Sequence, residues 1–79
     1  MKPYVLIAED ESAVSELLQY NLKRQDYEVA IANDGEEALL MMEERAPDLL
    51  LLDWMLPKVS GIEVCRRVRS GGVKPILPI

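Results

Sequence analysis

Histidine is missing from all 79 residues, and cysteine occurs once, as Cys65. The first absence removes imidazole acid–base catalysis and the commonest neutral metal ligand, so any metal site here must be built from oxygen. The second rules out an internal disulfide, and a lone thiol among the apolar positions of a helix reads as a buried core residue of a reducing compartment. Long apolar runs are also missing. The stretch from Tyr4 to Ala8 is too short for the apolar region of a signal peptide and far too short to span a bilayer, so a cytoplasmic protein is expected. Positive charge is scarce. The formal net charge is −5, with Arg66, Arg67 and Arg69 as the only basic cluster, which disfavours non-specific contact with nucleic acid or an anionic membrane. Three arginines on one helix read as a solvated face.

The composition is 49% hydrophobic and 29% charged, that of a globular domain. A chain this short buries only roughly 60% of its unfolded surface, so one domain of marginal stability is the limit.

Tyr4 to Ala8 is an unbroken apolar run that stops at Glu9-Asp10-Glu11, as a strand buried on both faces would. From Ser12, a candidate N-cap, apolar residues recur at Val14, Leu17, Leu18 and Leu22, and Lys23-Arg24 suit the negative end of a helix. Tyr27 to Ala32 returns to strand chemistry. Asn33-Asp34-Gly35 then turns the chain into a second helix over about Glu36 to Arg45, with Ala38, Leu39, Met41 and Met42 as its apolar side. Pro47 stops it. Leu49-Leu50-Leu51-Leu52 reads as a central parallel strand covered on both faces and closed by Asp53. The loop Trp54 to Gly61 leads into a third helix bearing Ile62, Cys65 and Val68 on one side, with Trp54 a loop-packing residue. Strands alternating with helices predict βαβ units and a parallel sheet. The segment after Ser70 opens with Gly71-Gly72 and carries two prolines, Pro75 and Pro78, so it is not expected to form a regular central strand.

In open parallel sheets ligands bind beyond the carboxyl ends of the strands. Glu9 and Asp10 follow the first strand and Asp53 follows the third, so all three share one pocket if those strands are neighbours. Acidic residues at strand ends are also commonly no more than solvated loop residues. Two carboxylates about 4 Å apart repel by roughly 4 kcal/mol at an effective dielectric of ~20, so such a cluster calls for a cation or a proton. Hard oxygen donors suit Mg²⁺. A phosphoryl group bound there could be transferred to the Asp53 carboxylate as an acyl phosphate.

Four segments, taken in order, resemble the receiver domain of bacterial two-component response regulators, most closely the phosphate-regulon type. They are Val5 to Glu11, Asn33 to Ala38, Pro47 to Pro57, and Gly61 at the head of the third helix. The resemblance runs from about Lys2 to Ser70. It implies a flavodoxin-like three-layer α/β sandwich with strand order 2-1-3-4-5, of which this chain holds the first three βα units plus a short tail. Residues 1–70 would then be a partial receiver and 71–79 a Gly/Pro-containing tail. It implies Asp53 as phosphoacceptor and Mg²⁺ held by Asp10, Asp53 and the backbone carbonyl of Met55, with Glu9 acting through water. It also implies a sensor histidine kinase as phosphodonor, in a module that accepts a phosphoryl group and is not otherwise an enzyme.

The chain departs from the family in its last part. The family's hydroxyl residue after the fourth strand has no threonine to fill it, and Lys74-Pro75 follows a Gly-Gly joint where the family's lysine–proline pair follows an apolar strand. The DNA-binding domain that ordinarily accompanies such a receiver is not in these residues, so no direct DNA contact is expected. Without its outer neighbours the third strand should present a bare apolar edge open to self-association, with the tail covering it in part at most. An interaction fragment without a working switch is therefore the alternative reading. An aspartate-dependent phosphohydrolase would place a second aspartate where Met55 stands.

Overall fold

The computed structural model describes residues 1–70 and 76–79. Its element order is β1 (Tyr4–Ala8), α1 (Ser12–Arg24), β2 (Glu28–Ala32), α2 (Gly35–Glu44), β3 (Leu49–Leu52), α3 (Gly61–Ser70) and β4 (Ile76–Pro78). All pairings are parallel, and the sheet order is β2-β1-β3-β4. This is the flavodoxin-like α/β arrangement, shortened relative to a whole receiver.

β1 is central because nothing in it needs water: Val5, Leu6, Ile7 and Ala8 are completely buried. Alternation sends Leu6 and Ala8 to one face, where they join Leu50, Leu52, Ala38, Met42, Val64, Cys65 and Val68 in the core beneath α2 and α3. The opposite face is covered by α1, which packs on β1 and β2. That coverage stops short of β3. Leu50 and Leu52 are buried while Leu49 and Leu51 are only half-buried, so the four leucines do alternate, contrary to a strand sealed on both sides.

The helix faces are rotated from those the sequence suggests. On α1 the packed stripe runs through Val14, Ser15, Leu18 and Leu22, and Leu17 is 61% exposed beside an equally exposed Tyr20. On α3 the buried residues are Gly61, Val64, Cys65 and Val68, and Ile62 points to solvent. At 100° per residue, Leu17 and Ile62 each lie about 60° outside the packed arc of their helix. Ser12 is not the cap of α1. Glu11 occupies that position without a side-chain hydrogen bond. The far end of α1 closes through amides of Asp26 and Tyr27 bonded to the carbonyls of Lys23 and Leu22, with Asp26 left-handed at φ 66°.

Pro78 is accommodated at the outer edge. The Ile79 amide bonds to the Leu52 carbonyl, so by alternation Pro78, which has no N–H, faces away from β3 and no ladder bond is lost. β4 pairs Ile76, Leu77 and Pro78 with Leu50, Leu51 and Leu52. The third strand is therefore not bare, and the partial cover expected of the tail is what β4 supplies, over the part of β3 that ends at the acidic pocket. The Gly71-Gly72 joint and Lys74-Pro75 lie outside the described residues.

Candidate functional site

The adjacency of β1 and β3 is direct, with Ala8 opposite Leu52. The Asp53 amide bonds to the Ala8 carbonyl at 3.0 Å and the Glu9 amide to the Ala32 carbonyl at 3.1 Å, so both acidic segments leave the sheet from fixed points at its carboxyl end. One carboxylate oxygen from each of Glu9, Asp10 and Asp53 lies within 4.8 Å of the other two. Their exposures differ: Glu9 is buried, Asp53 half-buried and Asp10 exposed.

Glu9 is fixed by the Glu11 amide, which donates to its Oε2 at 3.0 Å. Burial pushes its pKa above the ordinary carboxylate range, and the Asp53 charge pushes it further, against the lowering effect of the Glu11 amide. Asp53 accepts a hydrogen bond from the Met55 amide at Oδ1, 3.1 Å away. This bond fixes the plane of the acceptor carboxylate, and it brings the backbone of Met55 to the site while its side chain stays 85% exposed. Three clustered carboxylates without a histidine or thiolate fit a hard divalent cation of the Mg²⁺ kind, which would offset their mutual repulsion.

The loop after Asp53 is closed on itself and tied outward. Gly61 sits against its base, where a Cβ would come within 2.0 Å of the Asp53 carbonyl oxygen, and its amide bonds to the Trp54 carbonyl. At the tip, the Gly35 amide bonds to the Pro57 carbonyl at 3.2 Å and Lys58 Nζ lies 3.5 Å from Asp34 Oδ2. Asp34 is also the N-cap of α2, its Oδ1 accepting from the Glu37 amide at 2.8 Å. That bond, then the Lys58 charge, holds the Asp34 carboxyl below its usual range. In the sequence Asp34 stands out only as a turn residue and Lys58 only as a loop residue. Two charges so far apart along the chain leave no local signal of pairing.

Residues 5–79 match the family model described as the response regulator receiver domain. The chain belongs to this family. It is 52% identical over 79 residues to the phosphate regulon transcriptional regulatory protein PhoB of Rhizobium meliloti, covering 100% of this chain and 35% of that protein. It is 52% identical over 70 residues to the alkaline phosphatase synthesis transcriptional regulatory protein PhoP of Bacillus subtilis, covering 89% of this chain and 29% of that one. The receiver thus spans about a third of the curated relatives it matches. Among solved structures, the chemotaxis response regulator CheY4 of Vibrio cholerae superposes with a TM-score of 0.94 at 28% identity, over 99% of this chain and 68% of that one. Receiver domains are signalling modules, and among the described residues no helix of this receiver is long and apolar enough to cross a membrane.

Proposed function

We propose that this receiver accepts a phosphoryl group on Asp53, with Mg²⁺ held by Asp10, Asp53 and the Met55 backbone carbonyl and with Glu9 acting through water. The donor in this reading is the phosphohistidine of a sensor histidine kinase or a small phosphodonor. The observation that supports it best is the convergence of three carboxylates at the carboxyl ends of two adjacent strands.

The Met55 amide holds Asp53 Oδ1, leaving the other oxygen free to attack phosphorus. The new P–O bond forms as the bond from phosphorus to the donor breaks, the leaving nitrogen or oxygen keeps the electron pair, and an acyl phosphate results. When bound, the cation neutralises charge on the carboxylates and on the transferring oxygens. Glu9, held by the Glu11 amide and close to Asp53, would add negative charge that favours a bound cation. Half-burial of Asp53 leaves access for a donor from the solvent side.

Incubation with a radiolabelled small phosphodonor and Mg²⁺ should label the wild-type chain, and Asp53→Asn should abolish labelling while leaving the far-ultraviolet circular dichroism unchanged. Labelling that persists in Asp53→Asn would place the acceptor elsewhere. Association with a kinase in the absence of any labelling would favour the interaction-fragment reading.

A further inference from the structure

The acceptor loop is the part of the site with the least support of its own. Among the described residues, Trp54, Met55, Pro57, Lys58 and Ser60 are exposed, and only Leu56 is buried, with Val59 packed against the core. Lys58 adopts φ 67°, the left-handed region that L side chains other than Asn and Asp rarely enter, so the tip is held in a conformation that lysine does not favour by itself. Something must hold it there. Within the loop, the Val59 amide closes a tight turn across Lys58 onto the Pro57 carbonyl at 2.8 Å; the contacts from outside it are with the β2–α2 corner: the Gly35 amide on the same Pro57 carbonyl, Lys58 Nζ beside Asp34 Oδ2, and the Gly35 Cα face so close to Val59 that an added Cβ would meet its carbonyl oxygen at 1.8 Å.

We propose that Asp34 and Lys58 are positioning residues for the acceptor loop, clamping its tip to the N-terminus of α2 and so fixing the Met55 backbone at the acidic pocket. Asp34 is suited to the task because its two oxygens are divided. Oδ1 is engaged by the helix cap, which immobilises the carboxylate, and Oδ2 is turned to Lys58. The Asp34 side chain is only 16% exposed, whereas that of Lys58 is 61% exposed, so a flexible cation docks on a rigid anion and only one side chain has to be ordered. Neither residue belongs to the acidic cluster of Glu9, Asp10 and Asp53. The effect on Mg²⁺ binding rests on the function proposed above, but the clamp on the loop does not.

The test is a double-mutant cycle on the 79-residue chain with Asp34→Asn, which keeps an oxygen for the cap, and Lys58→Met, which keeps the aliphatic stem, together with Lys58→Arg. Amide hydrogen exchange of residues 54–60 is followed without metal, and Mg²⁺ affinity is followed by calorimetry. Each single variant should speed exchange of the loop and weaken Mg²⁺ binding about two- to fivefold, the scale of a partly exposed ion pair. The double variant should be no worse than the worse single one, Lys58→Arg should resemble wild type, and the urea midpoint should hold because cap and core are intact. Unchanged loop exchange in both single variants, or effects that simply add, would overturn the clamp. A wild-type chain that binds no Mg²⁺ while its loop exchange still responds to the variants would sink the metal site and leave the clamp standing.

Discussion

Glu9 is buried to 6% exposure with two other carboxylates beside it, and its neighbours make its charged form expensive. Folding raises its pKa above the ordinary 4.5, chiefly through burial, so the folded state holds that proton more tightly than the unfolded chain. The stabilising contribution of this group is therefore complete below its unfolded value and is lost as pH rises through the raised folded one. Glu9→Gln, which keeps an oxygen for the Glu11 amide, should stabilise the metal-free chain at pH 7.5 by about 1 kcal/mol, or about 4–8 °C in Tm. The gain should shrink as the pH approaches 4.5. Urea denaturation of both proteins across this range checks it, and a gap that stays constant with pH would mean that packing and not charge sets the difference. Added Mg²⁺ should raise the wild-type midpoint by binding the folded state only.

The junction of β3 with α3 depends on backbone approach more than on side-chain chemistry. Gly61 lets α3 begin directly against Asp53 and Trp54, and an added methyl group would sit 2.0 Å from the Asp53 carbonyl oxygen. Gly61→Ala should therefore lower stability by about 1–3 kcal/mol and, on the proposed function, slow phosphoryl labelling, because relief of the clash moves Asp53 itself. Urea unfolding and phosphodonor labelling measure the two effects, and a fully labelled variant of unchanged stability would show that the junction can yield elsewhere. Elements of this kind were partly legible in the sequence. β1 and β3 declared themselves because apolar runs ended abruptly in acids, and this also located Glu9, Asp10 and Asp53. The rotation of α1 and α3 is hidden in the sequence, since on α1 the polar Ser15 is buried and the apolar Leu17 is not, and on α3 Ile62 is as apolar as the buried Val64 and Val68. The α1 cap was misread at Ser12 because a hydroxyl is a good cap only when the turn aims it at an amide, and composition does not reveal that aim.

For the molecule as a whole, the order β2-β1-β3-β4 leaves β2 and β4 as the edges and puts the acidic pocket over the paired ends of β1 and β3. The three-residue β4 looks like a minor ornament on the sheet, yet it is what covers Leu50, Leu51 and Leu52 along their backbone. A chain ended at Pro75 should keep the pairing of β1 with β3 but expose the β3 edge and associate as concentration rises. Sedimentation velocity of the shortened and full chains side by side tests this, and a monomeric shortened chain would mean that the edge is blocked by other means. From the sequence, the third strand is expected to be bare because its outer strand–helix neighbours are missing, with the prolines of the tail arguing against more than partial coverage. Pro78 does not prevent the pairing of β4 with β3, because a proline whose missing N–H faces outward costs an edge strand nothing.

The parallel order also has a meaning in time. Every carboxylate of the pocket, the β1–β3 pairing beneath it and the Asp34–Lys58 contact beside it belong to the chain before α3 begins. A nascent receiver leaving the ribosome can therefore begin to assemble its acidic pocket before β4 has emerged. At about 5–20 residues per second, β3 then waits for its outer neighbour for on the order of seconds. For that interval the strand that leads into Asp53 is the growing edge of the sheet, with Leu50, Leu51 and Leu52 still unpaired along their outer backbone.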